Sequence, residues 1–187
     1  MPSDILPSTT PQDFASALWL DWLDHPQHGL LAAPRAVTKT LQHYRFEECD
    51  ITLDIGGPPL HLSVCSTSHF NYNFESGDGV LLGDNVAGKL PIHLAFDPPL
   101  TAVGSHVSAS GPVNGDYLSQ LAVKLDDGVW HPQSRVGTLN RVRGSAPFMG
   151  AFAANGKRIT EAWFDVVCPL NRNDFLCVAI SHFYFMP

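Results

Sequence analysis

Charge is what this chain has least of. Of its 187 residues only 16% are Asp, Glu, Lys or Arg, against 44% hydrophobic. Disordered chains show the reverse balance, so a folded body with a real apolar core is expected. Clustered positive charge is scarce too: 11 basic residues face 18 acidic ones, a formal net charge of −7. The densest basic stretch, Arg135, Arg141, Arg143, Lys157 and Arg158, is scattered over a turn-rich region. A nucleic-acid binder presents a continuous basic face, so no nucleic-acid partner is expected. No run reaches the ~18 to 20 apolar residues a membrane helix needs, and membrane insertion is not expected either. Residues 1–11 show neither the basic nor the apolar part of a secretory signal. That pattern fits a chain kept inside the cell, or one whose leader has been removed.

Recognisable catalytic and metal motifs are also missing. The Gly-x-Ser-x-Gly elbow of hydrolases does not occur, and no glycine-rich phosphate loop opens a helix. Nine histidines are present, but Cys65-x-x-x-His69 has no second pair at zinc spacing, so no metal ligands are assigned. Asp126 and Asp127 could contribute to a calcium site. Calcium takes six to eight oxygens, though, and no spaced run of acids supplies the rest. On one strand Glu161 and Asp165 would share a face ~13 Å apart, too far for the ~5 to 9.5 Å of a glycosidase pair. No cofactor and no catalytic residues are expected, and the balance leans away from an enzyme.

Cysteine is sparse at four. Cys49 and Cys65 flank an expected hairpin, residues 51–55 and 60–64, while Cys168 and Cys177 bracket a turn at 169–174. Two local disulfides are geometrically conceivable; four small buried hydrophobes is the plainer alternative.

What is present is alternation. Ile51, Leu53 and Ile55 alternate with polar neighbours, as do Leu60, Leu62 and Val64. Leu90, Ile92, Leu94 and Phe96 follow suit, then Val103 and Val107, Leu121, Val123 and Leu125, Ala162, Phe164 and Val166, and finally Phe183 and Phe185. Period-two patterning means one wet and one buried face, the mark of antiparallel sheet. Turn signals separate the runs, among them Gly77-Asp78-Gly79, Asp97-Pro98-Pro99, Asp126-Asp127-Gly128 and Asn155-Gly156. The single helix signal lies near the start. Thr10 can cap, Pro11 sits at the first helical position, and Phe14, Leu18 and Trp22 recur every four residues up to Asp24. The expected fold is therefore all-β, an antiparallel two-sheet jelly-roll β-sandwich with a short N-terminal helix. Residues 1–36 are read as a tail and helical arm, and residues 37–187 as the sandwich domain.

Three stretches carry a likeness. They are Ile92-His-Leu-Ala-Phe-Asp-Pro-Pro-Leu-Thr-Ala-Val-Gly104; Ala146-Pro-Phe-Met-Gly150 with Ile159-Thr-Glu-Ala-Trp-Phe164; and Asp174-Phe175 through Ile180-Ser-His-Phe-Tyr-Phe185. In pattern and order, over roughly residues 37 to 186, the chain resembles the β-sandwich domains of exported bacterial PEP-CTERM-type proteins. The resemblance implies a jelly-roll of the galactose-binding or concanavalin A-like type. It also implies export and a lectin-like, non-enzymatic role toward sugars or surface partners. The chain departs from that pattern at its end, Met186-Pro187, where the sorting tail would follow. It departs again at Ser181-His182, where the group commonly has an acidic pair.

The most ligand-like segment is His69-Phe-Asn-Tyr-Asn-Phe-Glu-Ser-Gly-Asp-Gly79. Sugar sites use aromatic rings against C–H faces and amides or carboxylates against hydroxyls, and Asn71, Tyr72, Asn73 and Asp78 supply those types. Ordinary loop and edge-strand chemistry is the competing account. Trp130, just past the Asp126-Asp127-Gly128 turn, is the fifth candidate, either as a stacking platform or as a cover for the sandwich end. The expected function is a non-catalytic carbohydrate-binding module. The alternatives are an interaction protein that docks or dimerises through its N-terminal helix, and a sandwich-type glycosidase or lyase.

Overall fold

Where apolar and polar side chains alternate along an extended segment, one side must face a core, and two such layers close on each other. The computed structural model describes residues 3–22, 35–36, 43–46, 49–54, 62–66, 73–75, 77–84, 92–110, 115–140, 142–167 and 177–187. Its strands are β1 Ile5–Ser8, β2 Leu18–Leu20, β3 Arg35–Ala36, β4 His43–Phe46, β5 Cys49–Asp54, β6 Leu62–Ser66 and β7 Gly79–Asp84. There follow β8 Ile92–Leu100, β9 Ala102–Ser110, β10 Asp116–Leu125, β11 Trp130–Thr138, β12 Phe148–Ala153, β13 Ile159–Val167 and β14 Cys177–Met186.

They form two antiparallel sheets. An eight-stranded sheet runs β1-β12-β9-β14-β7-β6-β3, with β2 also on β14, and a six-stranded sheet runs β11-β10-β13-β8-β5-β4. Leu121 and Val123 of β10, Ala162, Phe164 and Val166 of β13, and Phe183 and Phe185 of β14 meet in one buried cluster between the sheets. The alternating sets read from the sequence at 92–96, 103–107, 121–125, 162–166 and 183–185 are those inner faces, while the side chains of the sets at 51–55 and 60–64 lie outside the described residues. Among the described residues no helix is long and apolar enough to cross a membrane.

Three local expectations are corrected. The described parts of the expected hairpin, residues 51–54 and 62–64, do not pair with each other: β5 pairs β4 and β8, whereas β6 pairs β3 and β7 in the other sheet. Cys49 and Cys65 therefore lie on strands of different sheets and share no cross-strand register; Cys168 lies outside the described residues. The Asp97-Pro98-Pro99 signal is not a turn between strands. It sits inside β8, where pairing with β13 jumps from Glu161↔Ala95 to Ile159↔Leu100. Proline has no N–H for the ladder, so the strand bulges there instead of ending.

The third correction concerns the arm. Thr10 does cap, accepting from Gln12 N, and Pro11 does open the turn, but the result is a single 3₁₀ turn, Pro11–Phe14. The chain then extends into β2, which pairs with Phe183–Phe185 of β14. Leu18 and Trp22 fit a spacing of two, with Leu20 between them, as well as the helical spacing of four. Strand pairing wins because it sends Leu20 and Trp22 into the inter-sheet core, at 4% and 0% exposure. Phe14 meanwhile covers the opposite, outer face of the same sheet, with ring centroids 5.4 Å from Phe148 and 4.6 Å from Phe152. One helical stripe could not serve both faces. Two glycines make the outer seat: a Cβ on Gly150 would lie 2.7 Å from Phe14 Cε2, and one on Gly104 2.6 Å from Phe148 Cζ.

Candidate functional site

A slip in alternation builds the site. Val178 and Ile180 of β14 point into the core, and so do Phe183 and Phe185, which puts the two pairs out of phase by one residue. Against β9, Ile180 pairs with Val107 and Phe183 with Ser105, so Ser181-His182 holds one residue more than its partner. This is a β-bulge, a device that commonly re-aims side chains beside functional sites. The carbonyl it frees is satisfied: Trp22 Nε1 donates to Ser181 O at 2.8 Å, and Ser105 Oγ does so at 3.2 Å.

Over the bulge lies a pocket of about 170 Å³ on the outer side of the eight-stranded sheet. Its floor is Ser181, His182 and Tyr184 of β14 with His106 of β9, and its walls are Asn73, Phe74, Glu75 and Asp78 together with Gly144. A cavity of ~150 Å³ accommodates benzene, so this one has room for a single six-membered ring. It opens between two apolar covers of the outer face. Phe74 packs with Val80, Leu82 and Ala179 on one side. Phe14, Phe148 and Tyr184 pack on the other.

The walls are tied down. Asn73, at a φ of 68°, donates through Nδ2 to Thr138 O at 2.6 Å, and its own carbonyl accepts from Ala146 N at 2.9 Å. His106 Nδ1 contacts Ala146 O at 2.9 Å, a bond in which the ring nitrogen must be the donor. Gly144, at a φ of 68°, leaves the space that the Glu75 carboxylate occupies. Behind His182 stands Asp21, whose Oδ2 lies 3.2 Å from His182 Nε2 and accepts from Gly79 N at 3.2 Å. Asp78 Oδ1 is 3.9 Å from the same His182 nitrogen.

Electrostatics follow from burial. Desolvation pushes the Asp78 carboxyl above its ordinary value; the nearby His182 opposes this and Asp21 adds to it. Burial holds the His106 imidazole below its ordinary value in spite of its bond to Ala146 O and the nearby Asp78. The Tyr184 hydroxyl is raised, first by burial and then by Asp78. Two polar atoms of the wall and floor residues have no partner: Asn73 Oδ1 and Ser181 Oγ, on residues 2% and 0% exposed. Both atoms are closed off from solvent, as is His131 Nε2 on the six-stranded sheet, and the Asn73 side chain also hydrogen-bonds with the Tyr117 hydroxyl.

Of the five residues singled out in the sequence, Asn73 and Asp78 meet here, while Asn71 and Tyr72 lie outside the described residues. Trp130 is elsewhere, on the outer face of the six-stranded sheet, with its ring 4.7 Å from Trp163 and Lys124 Nζ 5.8 Å above it. Beside them Glu161 accepts from Lys124 Nζ at 2.7 Å and contacts His93 Nε2 at 2.8 Å. Burial raises the Glu161 carboxyl, but these two partners outweigh it and hold the carboxyl below its usual value. Sequence reading missed His106, Ser181, His182 and Tyr184. The phase slip between Ile180 and Phe183 was the available signal. Among the described residues no group of three or more His, Cys, Asp or Glu could hold a metal ion.

Fold and site together define an antiparallel two-sheet β-sandwich with a ring-sized, carboxylate-lined pocket on one outer face. No protein-family model matches the chain, no curated protein matches it, and no solved structure matches it.

Proposed function

We propose that the chain is a non-catalytic binding module whose pocket takes one sugar ring of a carbohydrate ligand. The observation that carries this reading is a cavity of single-ring size lined by the Asp78 and Glu75 carboxylates and by the Phe74 and Tyr184 rings. The pocket offers acceptors in the Asp78 and Glu75 carboxylates, and both donor and acceptor capacity in the Tyr184 hydroxyl and the His106 and His182 rings. A complementary ligand both donates and accepts, as hydroxyl groups do. Phe74 and Tyr184 supply apolar ring surface against which C–H groups can pack. Convergent polar groups in a partly aromatic pocket are the usual make-up of a small-ligand site. Jelly-roll winding belongs to the same proposal. Its support is that the chain crosses between sheets from β8 to β9, β9 to β10, β11 to β12, β12 to β13 and β13 to β14.

The test is a glycan array followed by titration calorimetry of the hits. Asp78→Asn is expected to weaken binding at least about tenfold, since a hydrogen bond to a charged group contributes ~1.5 to 3 kcal/mol. An array with no signal across diverse glycans would sink the proposal. One observation favours a second reading, a sandwich-type glycosidase or lyase: Asp78, raised by burial, shares the site with Glu75 and Asp21. Release of reducing ends from a bound oligosaccharide, abolished in Asp78→Asn while binding persists, would select that reading instead.

A further inference from the structure

We propose that Trp19 forms a second subsite at the mouth of the pocket, so that the ligand is a glycan of two or more units whose terminal ring enters the cavity. This rests on the carbohydrate reading of the pocket and adds the length of the ligand and the direction in which it leaves.

Trp19 lies directly across from Tyr184 in the β2–β14 ladder. Opposite residues of an antiparallel pair project to the same side, so the indole stands on the outer face beside a floor residue of the pocket. Its ring centroid is 5.0 Å from that of His182, a second floor residue, at an angle of 70°. Despite those neighbours, Trp19 is 54% exposed. The residues that follow it face the core, Leu20 at 4% and Trp22 at 0% exposure, while Leu18 before it is 41% exposed. Trp22 is anchored to the bulge carbonyl, and Asp21 to Gly79 N and to the His182 ring. The exposed indole is thus carried on a strand held by its ladder with β14 and by the anchors that follow it. A rigid, amphipathic aromatic surface of this kind supplies contact area at low entropic cost.

The packing of Trp19 alone accounts for none of this exposure. An apolar ring left half in water forgoes burial worth ~25 cal/mol per Å² of apolar surface. The adjoining pocket supplies the second observation, a ring-sized cavity lined by the Asp78 and Glu75 carboxylates whose floor residues His182 and Tyr184 are the neighbours of Trp19. Successive units of a glycan share one bridging oxygen, so the unit after the one in the pocket lies about one ring-width away. From the His182 and Tyr184 side of the floor, that step leads onto the Trp19 indole. The occupant is therefore an oligosaccharide or the end of a polysaccharide.

The experiment is an array printed with matched mono-, di- and tetrasaccharides of glucose, galactose, mannose, xylose and N-acetylglucosamine. Each pair that gives a signal is then followed by calorimetry on the full chain and on Trp19→Ala and Trp19→Phe. For wild type the disaccharide is expected to bind about tenfold more tightly than its monosaccharide. Trp19→Ala should erase that gain while leaving monosaccharide affinity in place, and Trp19→Phe should keep part of it. Equal wild-type affinity for mono- and disaccharide would overturn the second subsite and leave the pocket reading intact. Equal losses for both ligands in Trp19→Ala would also overturn it, by showing a structural role. A blank array removes the pocket reading and this one with it. Circular dichroism of each variant confirms that the fold is retained.

Discussion

His106 shows how one residue couples the pocket to the stability of the fold. Its folded pKa lies below the ordinary 6.5, chiefly through burial. As pH falls the unfolded chain therefore takes up this proton before the folded chain does. Stability from this group is complete above about 6.5 and is lost as pH drops from there toward the lowered folded value. The loss amounts to at most about 1.4 kcal/mol for each pH unit in that window. Asp78 has the opposite sign: its raised carboxyl favours the fold most below its ordinary 3.8, and that gain fades as pH rises through the folded value. Urea unfolding of wild type and His106→Gln between pH 7.5 and 5 separates the two. His106→Gln should flatten the slope just below 6.5; an unchanged slope would mean that another group sets it.

At the scale of elements, the N-terminal segment is one side of the site and not a free arm. Trp22 fills the core and its indole N–H satisfies the carbonyl freed by the β14 bulge. Trp22→Phe should cost ~0.5 to 1.5 kcal/mol for the lost hydrogen bond, since Ser105 Oγ still serves the Ser181 carbonyl. Trp22→Ala should cost ~3 to 5 kcal/mol, as truncation of large buried aromatics does. In the Ala variant, limited proteolysis is expected to cut first within residues 15–22, because β2 and Asp21 lose their anchor. Cleavage starting elsewhere would show that β2 is held by its ladder bonds alone.

This segment also marks how far the sequence could be read. The inner faces of β8, β10 and β13 were legible because each alternates without interruption for several residues, and alternation reports burial directly. Leu18 and Trp22 fit both periods, and only the open edge of β14, a partner far away in the chain, decides between them. The pocket was half legible for a related reason. Asn73 and Asp78 carry loop chemistry in one contiguous segment, and a window of sequence can show that. His106, His182 and Tyr184 are outward-facing residues on strands that become neighbours only when the sheet assembles, so no local pattern joins them. Trp130 carried the right chemistry, yet strand parity places it on the far face of the sandwich.

For the molecule as a whole, the controlling fact is that neighbours in space are distant in the chain. β1 pairs β12, β2 pairs β14, and β14 also lies between β9 and β7. Folds dominated by non-local strand pairing fold in about milliseconds to seconds. Stopped-flow refolding of the chain should fall in that range, and complete refolding within microseconds would contradict the topology. Deleting residues 177–187 should abolish cooperative unfolding altogether, because that strand supplies Ile180, Phe183 and Phe185 to the core.

The place of β14 at the centre of its sheet also governs how the chain can be made. During synthesis the neighbouring strands emerge with an open seam, and the seam closes only when residues 177–186 are free of the ribosome. The bulge, and with it the floor of the pocket, therefore forms after the other described strands of the sandwich, and a nascent chain stalled short of residue 180 would carry the walls of a site that has no bottom.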